Sequence, residues 1–169
     1  MRNQNPERVL LSGSHCLSVD RTRKNSVRRG LEGNSRLQPI NPKTPVRVIL
    51  AEDDLLIRYA LRKIVNAHCE IVAEANDGQA AVDLAEELRP DFVLMDISMP
   101  RLSGLDATRL IKERLPEVRV LILSNYSDAW HVDEAFRAGA DGYVLKGSAL
   151  LQLPQAMNDA LKGVTFRPA

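Results

Sequence analysis

From Val46 onward, the chain alternates short apolar runs with segments in which apolar residues recur every three or four positions. The runs have the length and the content of Val, Ile and Leu that buried strands have. They are VRVILA, EIVAEA, DFVLMD, VRVLILS and GYVLK, in this order. In the segments between the runs, apolar residues are spaced so that their side chains lie on one face of a helix. The pattern therefore predicts five consecutive strand–helix units.

The first and last predicted helices have clear apolar faces. The first buries Ile57, Ala60, Leu61, Ile64 and Val65. The last must bury Met157, Ala160, Leu161 and Val164. Because proline lacks the N–H that an inner helix position uses, we expect Pro154 in the first turn of that last helix.

The predicted strands are too apolar to leave one face of a sheet in water. Strands of this kind that alternate with helices form a parallel sheet that helices cover on both sides. The sequence therefore predicts an α/β fold with a doubly wound, five-stranded parallel sheet. In such sheets, functional residues lie beyond the carboxyl ends of the strands.

Composition fits this fold and excludes several classes of protein. The 169 residues are 44% hydrophobic and 27% charged, and no apolar run approaches the roughly 20 residues of a membrane helix. The two cysteines, Cys16 and Cys69, form no metal-binding motif or disulfide framework. The apolar runs near the N-terminus are too short for a secretory signal. We therefore expect a soluble, cytoplasmic protein without a membrane segment.

Charge divides the chain into two parts. Residues 1–44 hold nine Lys and Arg against three Asp and Glu, a balance of +6, whereas residues 45–169 hold fourteen against nineteen, a balance of −5. Residues 1–44 also lack sustained periodicity and are rich in Arg, Asn, Ser, Gly and Pro, which is typical of a disordered extension. The cluster RTRKNSVRR has the charge to contact nucleic acid, but no interleaved aromatic residue or motif accompanies it. We interpret this basic extension as a solvated tail or as the result of an incorrectly assigned start site.

Polar side chains follow four of the predicted strands, at the point where each strand ends. They are Glu52, Asp53 and Asp54 after the first strand, Asp96 after the third, Ser124 and Asn125 after the fourth, and Lys146 after the fifth. Taken singly, such residues are commonly helix caps or loop residues, and Asp54 suits a cap. Their convergence on one edge of the sheet favours a functional site instead.

Three carboxylates at one edge of a sheet require a cation. Two unit charges about 5 Å apart repel by roughly 3 kcal/mol at an effective dielectric constant near 20. Oxygen ligands beside an open position suit Mg²⁺, which keeps several waters and bridges to phosphoryl groups. Lys146 adds a fixed positive charge, and Ser124 adds a hydroxyl donor. This set favours phosphoryl transfer in which an aspartate is the nucleophile.

The same segments resemble the receiver domain of two-component response regulators. VRVILAEDDLLIR resembles the acidic motif of the first strand, DFVLMDISMPRLSGLDATR the phosphoacceptor segment, VLILSNYSD the Ser/Thr strand, and AGADGYVLKG the strand that carries the lysine. The resemblance covers residues 46–165, and spacings of 43, 28 and 22 residues separate Asp53, Asp96, Ser124 and Lys146. It implies a (βα)5 flavodoxin-like fold with strand order 2-1-3-4-5.

The resemblance implies a role for each site residue. Asp96 is implied as the phosphoacceptor, with Lys146 and Ser124 contacting the phosphoryl group. The implied ligands of Mg²⁺, for which Mn²⁺ can substitute, are Glu52, Asp53, Asp96 and the backbone carbonyl of Ser98. Ser124 and Tyr143 are implied as the switch pair, in which Tyr143 turns into the space that Ser124 leaves.

Some positions depart from the usual pattern of the family. The first acidic residue is Glu52 rather than Asp, and Gly147 stands where many receivers have proline. Ser98 and Tyr126 occupy the two positions that flank the attacking water in this family, and they predict slow or ordinary self-dephosphorylation. His131 is interpreted as a helix-surface residue.

The resemblance implies a phosphorylation-controlled switch rather than a turnover enzyme. A sensor histidine kinase, or a small donor such as acetyl phosphate, would phosphorylate Asp96. The changed surface would lie on the fourth and fifth strand–helix units, or on the first and fifth helices, and would favour a partner or a phosphorylation-dependent homodimer. A phosphohydrolase is disfavoured because Ser98 stands where such enzymes place a second Asp.

The C-terminal part resembles receivers of regulators that carry a LuxR-type helix-turn-helix. Residues 45–163 are the predicted receiver domain, and residues 164–169 are the predicted start of an output-domain linker. The output domain, which is absent from these residues, would then bind nucleic acid and regulate transcription. Contact of the basic extension with nucleic acid is a weaker expectation. The alternatives are a single-domain receiver and a receiver-like interaction module that does not use phosphate.

Overall fold

The computed structural model describes residues 45–67 and 69–168. In this part of the chain, five strands alternate with five α-helices, as predicted. The strands are β1 Arg47–Ala51, β2 Glu70–Ala75, β3 Phe92–Asp96, β4 Arg119–Ser124 and β5 Gly142–Leu145. The helices are α1 Leu55–Asn66, α2 Gly78–Leu88, α3 Gly104–Arg114, α4 Ala129–Arg137 and α5 Ala149–Leu161. The extension predicted for residues 1–44 lies outside the described residues.

The strands form one parallel sheet in the order β2-β1-β3-β4-β5. The register places Ala51 opposite Met95, and Asp96 opposite Leu123. The strand order reverses between β1 and β3, so the segments after these two strands leave the sheet in opposite directions and open a crevice between them. The predicted doubly wound, flavodoxin-like receiver fold is confirmed.

Helices cover both faces of the sheet and create two cores. On one face, α1 and α5 contribute Leu61, Leu153 and Met157 to a cluster with apolar residues of the strands. On the other face, α2, α3 and α4 contribute Ala85 and Ile111, among others, to the second cluster. Each helix in the described part of the chain is too short or too polar to traverse a lipid bilayer.

The predicted apolar face of α1 is only half covered. Leu61 and Val65 are buried, whereas Ile57 and Ile64 are partly buried and Ala60 is exposed. An open groove of about 420 Å³ runs along this side of α1, between α1 and the start of α5. The spacing of apolar residues therefore predicted the helix correctly but overestimated its burial.

Two predictions about α5 were wrong. Pro154 is the sixth residue of the helix rather than part of its first turn, and Val164 lies beyond the helix and is 54% exposed. The helix tolerates Pro154 because Leu153 buries the adjoining face, while the carbonyl that loses its N–H partner belongs to the exposed Leu150. The helix ends before Val164 because Gly163 has a φ of +76°, a left-handed conformation that terminates helices.

The segment after α5 returns to the sheet. Phe166 forms an isolated parallel bridge with β5, and the N–H of Tyr143 donates to the carbonyl of Phe166 over 2.9 Å. The guanidinium of Arg167 lies 4.0 Å from the ring centre of Phe136 on α4. Phe166 and Arg167, within the residues 164–169 that the sequence predicts as the start of a linker, therefore contact the edge of the sheet and α4.

Candidate functional site

An open cleft of about 330 Å³ lies beyond the carboxyl ends of β1, β3 and β4. Its walls are formed by Glu52, Asp53, Asp54, Ile57, Asp96, Ser98, Asn125, Tyr126 and Lys146. The structure thus brings together every predicted metal ligand and the predicted lysine. Lys146 begins a 3₁₀ turn, Lys146–Ser148, one residue after the end of β5, instead of closing the strand as predicted.

Lys146 contacts two buried carboxylates in this cleft. Its Nζ lies 2.7 Å from Oε2 of Glu52 and 3.0 Å from Oδ1 of Asp96. Burial raises the pKa of Glu52, and the nearby charge of Asp96 raises it further. The hydrogen bond from Lys146 lowers this pKa but does not cancel the rise. Burial alone would lower the pKa of Lys146, but the hydrogen bonds and charges of Glu52 and Asp96 outweigh burial and raise it. Lys146 is therefore a persistent positive charge beside Asp96.

Asp54, by contrast, caps α1. Its carboxylate accepts hydrogen bonds from the N–H groups of Ile57 and Leu56 at 3.0 and 2.8 Å. These bonds lower the pKa of Asp54, because they favour its ionised form. The interpretation of Asp54 as a helix cap is confirmed.

Three carboxylates converge with a spacing that suits a divalent cation. Glu52, Asp53 and Asp96 each place one oxygen within 4.8 Å of the oxygens of the other two. Lys146 contributes one positive charge against these three negative charges. Oxygen ligands that face an open cleft are those that Mg²⁺ prefers, since it keeps several of its own waters. The residues present therefore fit the predicted Mg²⁺.

Ser124 and Tyr143 lie beneath the wall of the cleft. They are 1% and 0% exposed, respectively. The Ser124 Oγ accepts from the N–H of Tyr126 at 3.1 Å, and the Tyr143 hydroxyl donates to the carbonyl of Tyr126 at 2.8 Å. Burial raises the pKa of Tyr143, although a hydrogen bond with Ser124 opposes the rise. The two predicted switch residues are therefore joined through one backbone segment, and Tyr143 points inward in this structure.

The loop between β3 and α3 packs tightly against Asp96. A Cβ added to Gly104 would lie 1.8 Å from the carbonyl oxygen of Asp96, so a larger residue does not fit. Arg101 in this loop has a φ of +64°, an uncommon conformation for a residue other than glycine. The guanidinium of Arg101 pairs with Asp77, the buried N-cap of α2. Close packing and this ion pair together hold the loop that begins at Asp96.

Sequence patterns did not identify two residues that support the site. Arg58 donates to the carbonyl of Glu52 and lies 3.3 Å from Oε2 of Glu74, which ties the end of β1 to α1 and β2. Asp77 holds Arg101 as described above. The position of Asp77 before Gly78 indicates a helix cap. The ion pairs have no comparable pattern because their partners lie in distant parts of the sequence.

The chain matches one family model and resembles known proteins in sequence. The family model of the response regulator receiver domain matches residues 48–158. Two similar proteins are the uncharacterized transcriptional regulatory protein YxjL of Bacillus subtilis (strain 168), 38% identical over 122 residues, and the transcriptional regulatory protein DegU of Brevibacillus brevis, 39% identical over 123 residues. The matches cover 71% and 72% of this chain but 54% and 52% of those proteins. The chain therefore spans about half their length.

Solved structures give the same result. The chain resembles a two-component response regulator of the LuxR family from Aurantimonas sp. SI85-9A1, with a TM-score of 0.67, 34% identity, and coverage of 71% of this chain and 87% of that one. It also resembles the non-phosphorylated receiver domain of the stress response regulator RcsB from Escherichia coli, with a TM-score of 0.67, 25% identity, and coverage of 73% and 98%. The predicted resemblance to LuxR-type receivers is confirmed. The fold, the cleft and the family match together show that the chain belongs to the response regulator receiver domain family.

Proposed function

We propose that Asp96 accepts a phosphoryl group and that the chain acts as a signalling switch of a two-component system. The observation that carries this proposal is the contact of Lys146 with both Asp96 and Glu52, at 3.0 and 2.7 Å, beside an open cleft. A fixed positive charge at this point stabilises the negative charge that phosphorylation adds to Asp96. The family is one of regulators rather than turnover enzymes, so the phosphorylated protein itself is the product.

In the proposed reaction, a carboxylate oxygen of Asp96 attacks phosphorus, and the bond from phosphorus to the donor breaks. The donor is the phosphohistidine of a sensor histidine kinase or a small acyl phosphate, and its leaving group keeps the bonding electrons. Lys146 binds a phosphoryl oxygen. Mg²⁺ or Mn²⁺, held by Glu52, Asp53, Asp96 and the backbone carbonyl of Ser98, would add positive charge next to the phosphoryl oxygens.

The hydrogen bonds beneath the cleft suggest how the switch operates. When Ser124 turns its hydroxyl toward the new phosphoryl group, it gives up the bond from the Tyr126 N–H. The Tyr126 carbonyl also holds the Tyr143 hydroxyl, so the change extends to β5. Phosphorylation then favours one of two packings of the β4–α4 loop and β5.

The proposed acceptor is tested by labelling the protein with radioactive acetyl phosphate and Mg²⁺. Wild type should incorporate label, and Asp96→Asn should not, because an amide does not form the acyl phosphate. Asp106→Asn, which removes an exposed aspartate on α3, is a matched control and should label normally. Equal labelling of wild type and Asp96→Asn would contradict the proposal.

We propose further that the switch controls transcription in the cytoplasm. The relatives named above are described as transcriptional regulatory proteins, and a LuxR-family regulator has the same receiver fold. The proposed partners are a sensor histidine kinase, a second phosphorylated copy, and DNA bound through a LuxR-type output domain. Phosphotransfer from a purified kinase, followed by DNA binding of the longer regulator with and without phosphorylation, tests these partners.

The second candidate is a receiver-like interaction module that does not use phosphate. Beryllium fluoride with Mg²⁺ mimics a phosphorylated aspartate and separates the two functions. A switch should change its amide NMR shifts around Ser124 and Tyr143, whereas unchanged shifts would favour the interaction module.

A further inference from the structure

Three aromatic rings contact one another in sequence at the beginning of α4, Tyr126 with His131 and His131 with Trp130. The rings of Tyr126 and His131 are parallel, with centres 4.0 Å apart and planes 2° apart. Trp130 meets the His131 ring edge-on, with centres 4.8 Å apart. His131, which the sequence predicted at the helix surface, is partly exposed on α4 and contacts both aromatic rings.

Asp128, the N-cap residue of α4, also binds His131. Asp128 accepts a hydrogen bond from the backbone N–H of His131 at 3.2 Å, and its other oxygen lies 2.7 Å from Nδ1 of the ring. The side-chain and backbone hydrogen bonds of His131 lower the pKa of Asp128. The ring that stacks on Tyr126 is thus fixed at its backbone and at one ring nitrogen.

The ring of Tyr126 forms part of the wall of the cleft. The Ser98 hydroxyl, which also lines the cleft, donates a long hydrogen bond to the Tyr126 hydroxyl at 3.4 Å. Tyr126 is 43% exposed. Because the protein contacts only part of this side chain, those contacts determine where its ring lies. The backbone of Tyr126 is tied to Ser124 and Tyr143, but the structure holds its side chain through His131 and Ser98.

We propose that His131 is a positioning residue that holds the Tyr126 ring in the wall of the cleft and so limits the access of water to phosphorylated Asp96. This inference rests on the proposed function of Asp96. The reaction that this positioning slows is hydrolysis of the acyl phosphate. In it, the oxygen of a water molecule bonds to phosphorus and the bond from phosphorus to Asp96 breaks. The products are the Asp96 carboxylate and inorganic phosphate, which carries the two protons of the water until it equilibrates with solvent.

The lifetime of the phosphorylated protein tests this role. After labelling with acetyl phosphate and removal of the donor, His131→Ala should lose label about three to ten times faster than wild type, the factor that the energy of an aromatic pair implies. His131→Phe keeps a flat ring and should restore most of the lifetime. Asp133→Ala, an exposed substitution on the same helix, should leave the lifetime unchanged.

A double variant distinguishes a positioning role of His131 from a general destabilisation of α4. If His131 acts through Tyr126, then Tyr126→Ala shortens the lifetime, and adding His131→Ala to it causes no further loss. Additive losses in the double variant, or equal lifetimes of His131→Ala and wild type, would refute the positioning role while leaving Asp96 as the acceptor. Absence of label in wild type would refute the proposed function and this inference with it.

Discussion

At the scale of single residues, the charge balance around Lys146 dominates the site. One ammonium contacts Glu52 and Asp96, which are 1% and 4% exposed. Carboxylates that are taken out of water need such a partner, because an unpaired buried charge is strongly destabilising. Lys146 therefore contributes to stability as well as to the proposed chemistry.

Replacing Lys146 tests this double contribution. Lys146→Met should lower the free energy of unfolding by roughly 3–5 kcal/mol at pH 7 in EDTA, because it leaves two buried carboxylates unpaired. Added Mg²⁺ should recover part of the loss by supplying positive charge. Urea denaturation with and without Mg²⁺ measures both effects, and equal stability of the two proteins in EDTA would contradict the expectation.

The difference in stability between wild type and Lys146→Met should depend on pH in the alkaline range. The pKa of Lys146 is raised in the folded state, so its stabilising contribution is complete below the ordinary lysine pKa and is lost as the pH rises through the folded pKa. The difference in stability between wild type and Lys146→Met should therefore narrow only at strongly alkaline pH. A difference that narrows at neutral pH would contradict the raised pKa.

Asp53 offers a test of the metal site with little effect on the fold, because its side chain is exposed to the cleft. Asp53→Asn should weaken Mg²⁺ binding by about tenfold or more and change the free energy of unfolding in EDTA by about 0.5 kcal/mol or less. Asp54→Asn removes the same charge one residue away and preserves the helix cap, so it should weaken binding much less. Calorimetric titration with Mg²⁺ compares the variants, and an equal loss in both would show a general charge effect.

At the scale of elements, the chain positions the site through short connections. The loop from Asp96 to α3 brings Gly104 under the Asp96 carbonyl, and Lys146 leaves β5 directly into a 3₁₀ turn. The sequence predicted the five strands and the five α-helices because their apolar periodicity reflects burial. It did not predict the position of Pro154, since propensity alone does not include the packing of Leu153 that offsets the proline.

Two glycines in these connections should respond differently to alanine. Gly104→Ala should lower the free energy of unfolding by about 1–3 kcal/mol and reduce labelling of Asp96, because the new Cβ would displace the Asp96 carbonyl. Gly147→Ala should leave stability unchanged or raise it by up to about 1 kcal/mol, because its Cβ would enter open space. Thermal denaturation and acetyl phosphate labelling compare the two variants. The same response at both positions would contradict the packing argument.

At the scale of the whole molecule, α1 and α5, which cover the same face of the sheet, expose apolar side chains that together we call the α1–α5 surface. It consists of the exposed side chains Leu55, Leu56, Tyr59, Leu150 and Leu151. The groove along α1 adjoins it. Where such side chains form a continuous patch, they commonly mark an interaction surface. The sequence did not distinguish this surface from the buried face of α1, because both consist of the same residue types at helical spacing.

The α1–α5 surface makes a specific prediction for the proposed homodimer. Leu56→Glu combined with Leu151→Glu should abolish self-association that Mg²⁺ and beryllium fluoride induce, since two charges would be buried at the contact. Val164→Glu adds a charge at another exposed apolar position and should have no such effect. Sedimentation velocity measures the association, and dimers of the double variant would place the contact on another face, such as that of α4 and β5.

The return of the chain to the sheet after α5 has a consequence for solubility. A strand at the edge of a sheet offers unpaired backbone groups to strands of other molecules, which favours aggregation. At the β5 edge, the N–H of Tyr143 already donates to the carbonyl of Phe166, and the Arg167 guanidinium lies over the adjoining Phe136 ring. Residues 164–168 therefore also shield an edge of the sheet, and their removal would leave β5 open to strand addition.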